Sequence, residues 1–217
     1  MNTSNENSQN EKHVSKEIIG LESNALTGKK IVLCITASVA AYKAIDLSRL
    51  LMRNGAEVYP VMSKSTESKL LTKEILDWAT GNKTVTELTS GLEHISLANY
   101  GKSDLILVYP CTANTLGKFA NGIEDSPVTT VLSVGFGSRI PIVIAPAMHE
   151  AMYENTIITE NIQKLKSLGV SILEPSISED KAKVISADSV VQFVISKIGK
   201  NKERMKSRVN VLVTAGS

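Results

Sequence analysis

The chain has 217 residues, 42% of them hydrophobic, enough for one sizeable core. Lysines and arginines number 24 against 22 acids, and the net charge of +2 is too weak a field to indicate nucleic acid or an anionic membrane as partner. Aromatic residues make up 4%, too few for a base-stacking platform.

No apolar run reaches the roughly 18 residues of a membrane-crossing helix. Cys34 and Cys111 lack CxxC spacing and read as reduced thiols of a cytoplasmic protein, with no metal framework. Residues 1–27, rich in Asn, Ser, Glu and Lys, read as a disordered arm with neither a secretory signal nor a transit peptide. His13 within it reads as an ordinary solvated residue.

Residues 28–198 carry the pattern of an α/β domain with a mostly parallel sheet and helices on both faces. The near-continuous apolar run Lys30 to Thr36 predicts a strand covered on both sides. Ala37-Ser38 turns into a helical pattern that closes at Asn54-Gly55. Ser38 is either a plain helix cap or part of an anion site at that helix start; no GxGxxG is present. Glu57 to Met62 predicts a second strand, followed by Ser63-Lys64-Ser65-Thr66, which caps a helix over Glu67 to Ala79 or reaches a ligand. Thr84 to Gly91 is a loop or a short strand.

His94 sits in a short segment, Glu93 to Ala98, ahead of the strand Asp104 to Tyr109. That strand hands over to Pro110-Cys111-Thr112-Ala113-Asn114-Thr115, a polar cluster where open α/β sheets bind ligands. Ser126 and Pro127 predict the start of a helix to Val134. Arg139 to Ala145 reads as the next strand, ending in Pro146-Ala147-Met148-His149, and a helix to Leu168 follows. Val170 to Leu173 is a last short strand, Glu174 to Asp188 a connection or a flap, and Ser189 to Ile198 a last helix. Residues 199–208 read as a basic linker, and 209–217 as the opening strand of a further α/β domain.

Four segments together resemble the signatures of the homo-oligomeric flavin-containing cysteine decarboxylases: Thr36 to Lys43, His94 to Leu97, Pro110 to Thr115 and Pro146 to Tyr153. Within that family the chain is most similar to the enzymes acting on phosphopantothenoylcysteine in coenzyme A biosynthesis. Val211 to Gly216 resembles the first strand of phosphopantothenate–cysteine ligase, so the resemblance implies the decarboxylase half of a bifunctional protein.

The fold implied is Rossmann-like or flavodoxin-like, in three layers. The implied cofactor is FMN, its phosphate held by Ser38, Ser63 and Ser65, its ring edge approached by Thr112, Ala113, Asn114 and Thr115. The implied assembly is a trimer or an assembly of trimers. The implied reaction oxidises the substrate thiol to a thioaldehyde, which gives the electrons left by departing CO2 somewhere to go. The resulting enethiol is then reduced to the thiol product. His94 is implied as the essential residue near the reacting carboxylate or as an acid/base, with Met148 and His149 lining the substrate pocket.

This sequence departs from the family pattern twice. His149 stands where members often carry the asparagine that binds the substrate carboxylate. The stretch Ser178 to Val184 occupies the place of a glycine-rich clamp yet contains no cysteine, leaving Lys181, Lys183 or solvent as donor. Alternatives are a flavin prenyltransferase, a peptidyl-cysteine decarboxylase and a non-catalytic regulatory subunit. The His94 segment and the ligase-like tail favour the coenzyme A enzyme over these.

Overall fold

The computed structural model describes residues 13–178 and 181–206. In chain order the elements are β1 (Lys30–Ile35), α1 (Lys43–Arg53), β2 (Glu57–Met62), α2 (Lys64–Lys69), α3 (Lys73–Thr80) and α4 (Glu93–Ala98). There follow β3 (Leu105–Cys111), α5 (Ala113–Ala120), α6 (Pro127–Gly137), β4 (Ile142–Pro146), β5 (Met148–His149) and α7 (Glu150–Tyr153). The last are α8 (Thr156–Ser167), β6 (Ser171–Ile172), β7 (Ser176–Ser178), β8 (Lys181–Lys183) and α9 (Ala187–Lys206). Single 3-10 turns cover Val14–Ile18 and Val39–Tyr42.

Five strands form a parallel sheet in the order β2-β1-β3-β4-β6. The central strands β1, β3 and β4 are buried on both faces and so carry apolar residues in near-continuous runs rather than alternating ones. In β1 the side chains of Ile31, Leu33 and Ile35 join one core cluster and those of Val32 and Cys34 the other. The first cluster is closed by α1, α3 and α9 through Leu47, Leu51, Leu76, Val190 and Val194. The second is closed by α4, α5, α6 and α8 through Ala98, Leu116, Val131, Leu132 and Leu165. This is the three-layer, flavodoxin-like architecture that the apolar runs and intervening helices imply.

The alternation slips once, in β3. Leu105, Leu107 and Tyr109 face the first cluster, and Ile106 and Val108 the second. Continued alternation would put Cys111 with Tyr109, but it lies in the second cluster. The register of β3 on β4 shifts between Val108 and Cys111, where Pro110 follows a cis bond from Tyr109. Proline cannot donate to the ladder, so regular pairing breaks there and the chain leaves the sheet one position out of phase.

Several boundaries differ from the sequence reading. The expected helix from Glu67 to Ala79 is two helices, α2 and α3, separated at Leu70 to Thr72. Thr84 to Gly91 is a loop that touches the sheet at one bridge, Val85 to Val61. The stretch from Glu174 is a hairpin, β7 and β8, which pairs antiparallel with β5 to make a second, three-stranded sheet. The expected linker 199–208 continues as helix to Lys206, while residues 207–217, including the expected ligase-like strand, lie outside the described residues.

The disordered arm is also a correction, for residues 13–27; residues 1–12 lie outside the described part. Leu26 is fully buried in the first core cluster, with Ile18 and Ile19 packed against it. Backbone N–H groups of Gly20, Glu22 and Leu26 donate to the carbonyls of Met52, Arg53 and Asn54 at 3.0, 3.0 and 2.8 Å. These acceptors are among the orphan carbonyls every helix leaves at its C-terminus. A mostly polar segment therefore folds on because α1 ends in unsatisfied acceptors and three apolar side chains reach the core. Leu26→Ala is expected to destabilise the protein by about 2–5 kcal/mol, read from urea denaturation, whereas a disordered arm predicts no change.

Cys34 and Cys111 are both fully buried and free. Burial pushes the Cys111 thiol up to about 12, and burial with the neighbouring Cys111 pushes Cys34 higher still. Both stay neutral at working pH, and the thiolate is the reactive form. Native protein at pH 8 is expected to leave both thiols unreacted with a water-soluble disulfide reagent, and denatured protein to titrate both.

Candidate functional site

Strand order reverses between β1 and β3: β2 lies to one side of β1, and β3, β4 and β6 to the other. Helices after β1 and after β3 cross opposite faces, so a crevice opens at the carboxyl ends of these two strands. Four segments converge on that edge: Thr36–Ser38 after β1, Ser63–Thr66 after β2, Thr112–Thr115 after β3 and Ala147–His149 after β4.

Ser38 caps the 3-10 turn that leads into α1; its Oγ accepts from the N–H of Ala40 at 3.3 Å. Ser63 donates its N–H to the carbonyl of Ile35 at 3.1 Å, tying the start of α2 to the end of β1. Its hydroxyl does not cap α2 but pairs with the hydroxyls of Ser65 at 3.2 Å and Thr66 at 2.8 Å. Thr112 caps α5 by accepting from the N–H of Thr115 at 3.4 Å, and the two hydroxyls lie 3.3 Å apart. Asn114 and Ser65 are exposed, Ser38 and Thr112 half-buried, and Ala113 buried. Ser38 and Thr112 thus cap and still keep valences for a ligand, whereas the side-chain cap expected of Ser63 is not made.

Beside Ser38 the rim carries exposed apolar surface, Val39 being 82% and Tyr42 56% exposed. Small hydroxyls, helix starts with free amides and uncovered apolar side chains form a cradle for a ligand with an anionic end and a flat apolar body. A cleft of about 370 Å³ adjoins it through Lys64 and runs to Ser126 and Pro127 at the start of α6. Lys64 spans its mouth, donating to Glu87 at 2.9 Å and holding that carboxyl below its usual range.

Met148 is half-buried and His149 exposed at the end of this rim. Their strand, β5, pairs with β8 in the register Met148 to Ala182 and His149 to Lys181. Lys183 lies opposite Ser176 on β7. The hairpin is thereby fastened to the segment that follows β4, which the sequence reading left open between a connection and a flap.

His94 lies in the first turn of α4, which packs on α6. Among the described residues no hydrogen bond links it to the Ser38 and Thr112 segments, and its Nδ1 is buried with no partner. The helix begins at Leu92, whose φ of 52° is in the left-handed region, and Glu93 accepts from the N–H of Thr89 at 2.8 Å and from its hydroxyl. Those two bonds hold the Glu93 carboxyl below its usual range. A buried nitrogen without a partner carries an energetic penalty, so its hydrogen-bonding capacity is available to a group not supplied by this chain.

Sequence reasoning missed Thr36, taken as the end of β1. Its side chain is 1% exposed; the hydroxyl donates to the Pro110 carbonyl at 2.8 Å and accepts from the N–H of Thr112 at 3.0 Å. A hydroxyl closing an otherwise apolar strand was the available signal.

A flavoprotein family model matches residues 19–199. The chain is 48% identical over 207 residues to the coenzyme A biosynthesis bifunctional protein CoaBC of Thermococcus kodakarensis, covering 94% of this chain and 50% of that protein. It is 36% identical over 154 residues to a probable phosphopantothenoylcysteine decarboxylase of Streptococcus mutans, covering 69% of this chain and 84% of that one. Among solved structures, the peptidyl-cysteine decarboxylase EpiD superposes with a TM-score of 0.67 at 28% identity, over 76% of this chain and 98% of that chain. The chain spans about half the length of the bifunctional relatives it matches. With the family model matching most of its length, and the fold and rim that such a match requires in place, the chain belongs to the flavoprotein family.

Proposed function

We propose that the protein is an FMN-dependent decarboxylase of phosphopantothenoylcysteine, yielding phosphopantetheine for coenzyme A biosynthesis. The observation that carries this is the match to a probable phosphopantothenoylcysteine decarboxylase along 84% of that protein's length. By the half-length match to bifunctional relatives, the chain corresponds to the decarboxylase half of a protein that also bears phosphopantothenate–cysteine ligase. We further read it as cytoplasmic and as a trimer or an assembly of trimers. Among the described residues no helix is long and apolar enough to cross a membrane.

The residues present fit FMN. Its phosphate matches the hydroxyls of Ser38, Ser63 and Ser65 and the amides at the starts of the helices after β1 and β2. Its ring matches the exposed apolar surface of Val39 and Tyr42 beside the start of α5 at Ala113 to Thr115. When bound, FMN supplies a two-electron acceptor and donor, which lets a cysteine carboxylate leave as CO2.

The chain's own residues bind, orient and move protons. Thr112 to Thr115 hold the ring edge through hydroxyl, amide and helix-start groups. Met148 and His149 line the substrate end, and an imidazole N–H of His149 donates to the substrate carboxylate as an asparagine amide would. Lys181 and Lys183 are assigned to the substrate side; Lys181 pairs opposite His149 and Lys183 opposite Ser176. His94 serves as the acid/base group near the reacting carboxylate.

Purified protein is expected to bind FMN and to release CO2 from phosphopantothenoylcysteine. His94→Asn is expected to keep the flavin and lose turnover by about 100-fold or more, read as CO2 release. Flavin binding without turnover by the unaltered protein would favour the prenyltransferase or regulatory readings. Intact turnover in His94→Asn would remove His94 from the mechanism.

A further inference from the structure

The reversal of strand order leaves β1 and β3 side by side at the point where their continuations separate. Beyond that point the sheet ladder cannot set the distance between the Ser38 turn and the start of α5, because each chain turns to a different face. Regular pairing of β1 with β3 ends at Cys34 and Val108. What joins the two segments further on is Thr36. Its N–H donates to the Pro110 carbonyl at 3.3 Å and its hydroxyl donates to the same oxygen at 2.8 Å. That hydroxyl also accepts the N–H of Thr112 at 3.0 Å and lies 3.4 Å from the Thr112 hydroxyl. On its other side the Thr36 carbonyl accepts the N–H of Ser38 at 2.7 Å.

One residue therefore touches both halves of the rim, the Ser38 half through its backbone carbonyl and the Thr112 half through its hydroxyl. The Thr112 N–H is held by Thr36, and the Thr112 hydroxyl caps α5 through Thr115. The Ser38 turn is held by the Thr36 carbonyl. Thr36 itself is 1% exposed, so it reaches no ligand and acts only through these neighbours.

We infer that Thr36 is a positioning residue of the flavin site: its backbone carries the phosphate-side Ser38 turn, and its buried hydroxyl fixes that backbone against the ring-side Thr112–Thr115 segment. This rests on the flavin reading proposed above. Past the regular ladder the hydroxyl adds a side-chain link to the one backbone bond from the Thr36 N–H to the Pro110 carbonyl. Valine keeps the volume and the methyl but leaves the Thr112 N–H and the Pro110 carbonyl without this partner. Serine keeps the hydroxyl and removes the methyl.

The test uses the full chain, stripped of flavin and titrated with FMN by quenching of flavin fluorescence, with the melting curve of each flavin-free protein recorded alongside. Thr36→Val is expected to raise the FMN dissociation constant by about tenfold or more, and Thr36→Ser to stay within about threefold of the unaltered protein. A role in packing alone reverses this order, because valine retains the methyl. Thr36→Val that melts earlier yet binds FMN normally overturns the inference and leaves the flavin reading standing. Thr36→Ser that weakens binding tenfold also overturns it, and this variant decides the matter if Thr36→Val does not fold. Unaltered protein that takes up no FMN overturns the flavin reading and this inference together.

Discussion

Everything at the candidate site follows from one constraint, the divergence of the chain on either side of β1 and β3. Parallel strands require crossovers, and crossovers require both faces of the sheet to be covered. Where consecutive crossovers choose opposite faces, the carboxyl ends of two adjacent strands lose their lateral cover. The gap cannot be filled by a helix of this sheet. It is lined here by small polar residues because their backbone and hydroxyl groups can be satisfied there with or without a ligand.

The walls of the gap differ in how firmly they are held. Ser38, Ser63 and Thr112 are each tied into a turn or cap whose bonds run to strand ends. The Met148–His149 wall is held instead by a short antiparallel ladder to the hairpin of β7 and β8. Strands of two and three residues bury little surface, and sheets this small have marginal stability of their own. The phosphate-side wall is thus rigid scaffold, and the substrate-side wall is built from an element that can adjust. That division suits a tightly kept cofactor and a substrate that enters and leaves.

Much of this was legible in the residues. Strands β1 to β4 announced themselves as apolar runs, and β2 begins and ends where its pattern does, at Glu57 and Met62. Ser38, Ser63, Ser65 and Thr112 to Thr115 stood out because hydroxyls follow apolar strands there. What escaped notice lacked periodicity. Strands as short as β5, β7 and β8 show no alternation to read. The anchoring of residues 13–27 depends on three apolar side chains scattered through polar sequence and on backbone bonds that no side chain reports. The break between α2 and α3 falls in a stretch whose residues suit a helix well enough. Thr36 was hidden for the opposite reason: it looked like an ordinary strand residue, and its meaning lies in a contact across 76 positions of sequence. His94 was singled out by resemblance, and its packing on α6 is a matter of tertiary structure that no local pattern encodes.

The seam between the amino-terminal segment and α1 carries a consequence for how the protein ages in a cell. The carbonyls of Met52, Arg53 and Asn54 accept from Gly20, from Glu22 and Ser23, and from Leu26, and Met52 has a further partner in Gly55. The opposite end of the same helix continues from the turn that Ser38 caps. A protease that trimmed the chain back to Lys29 would spare every rim residue and still unfasten the far end of the helix on which one of them rests. Loss of cofactor, rather than loss of any ligand-contacting group, would be the first sign of such clipping.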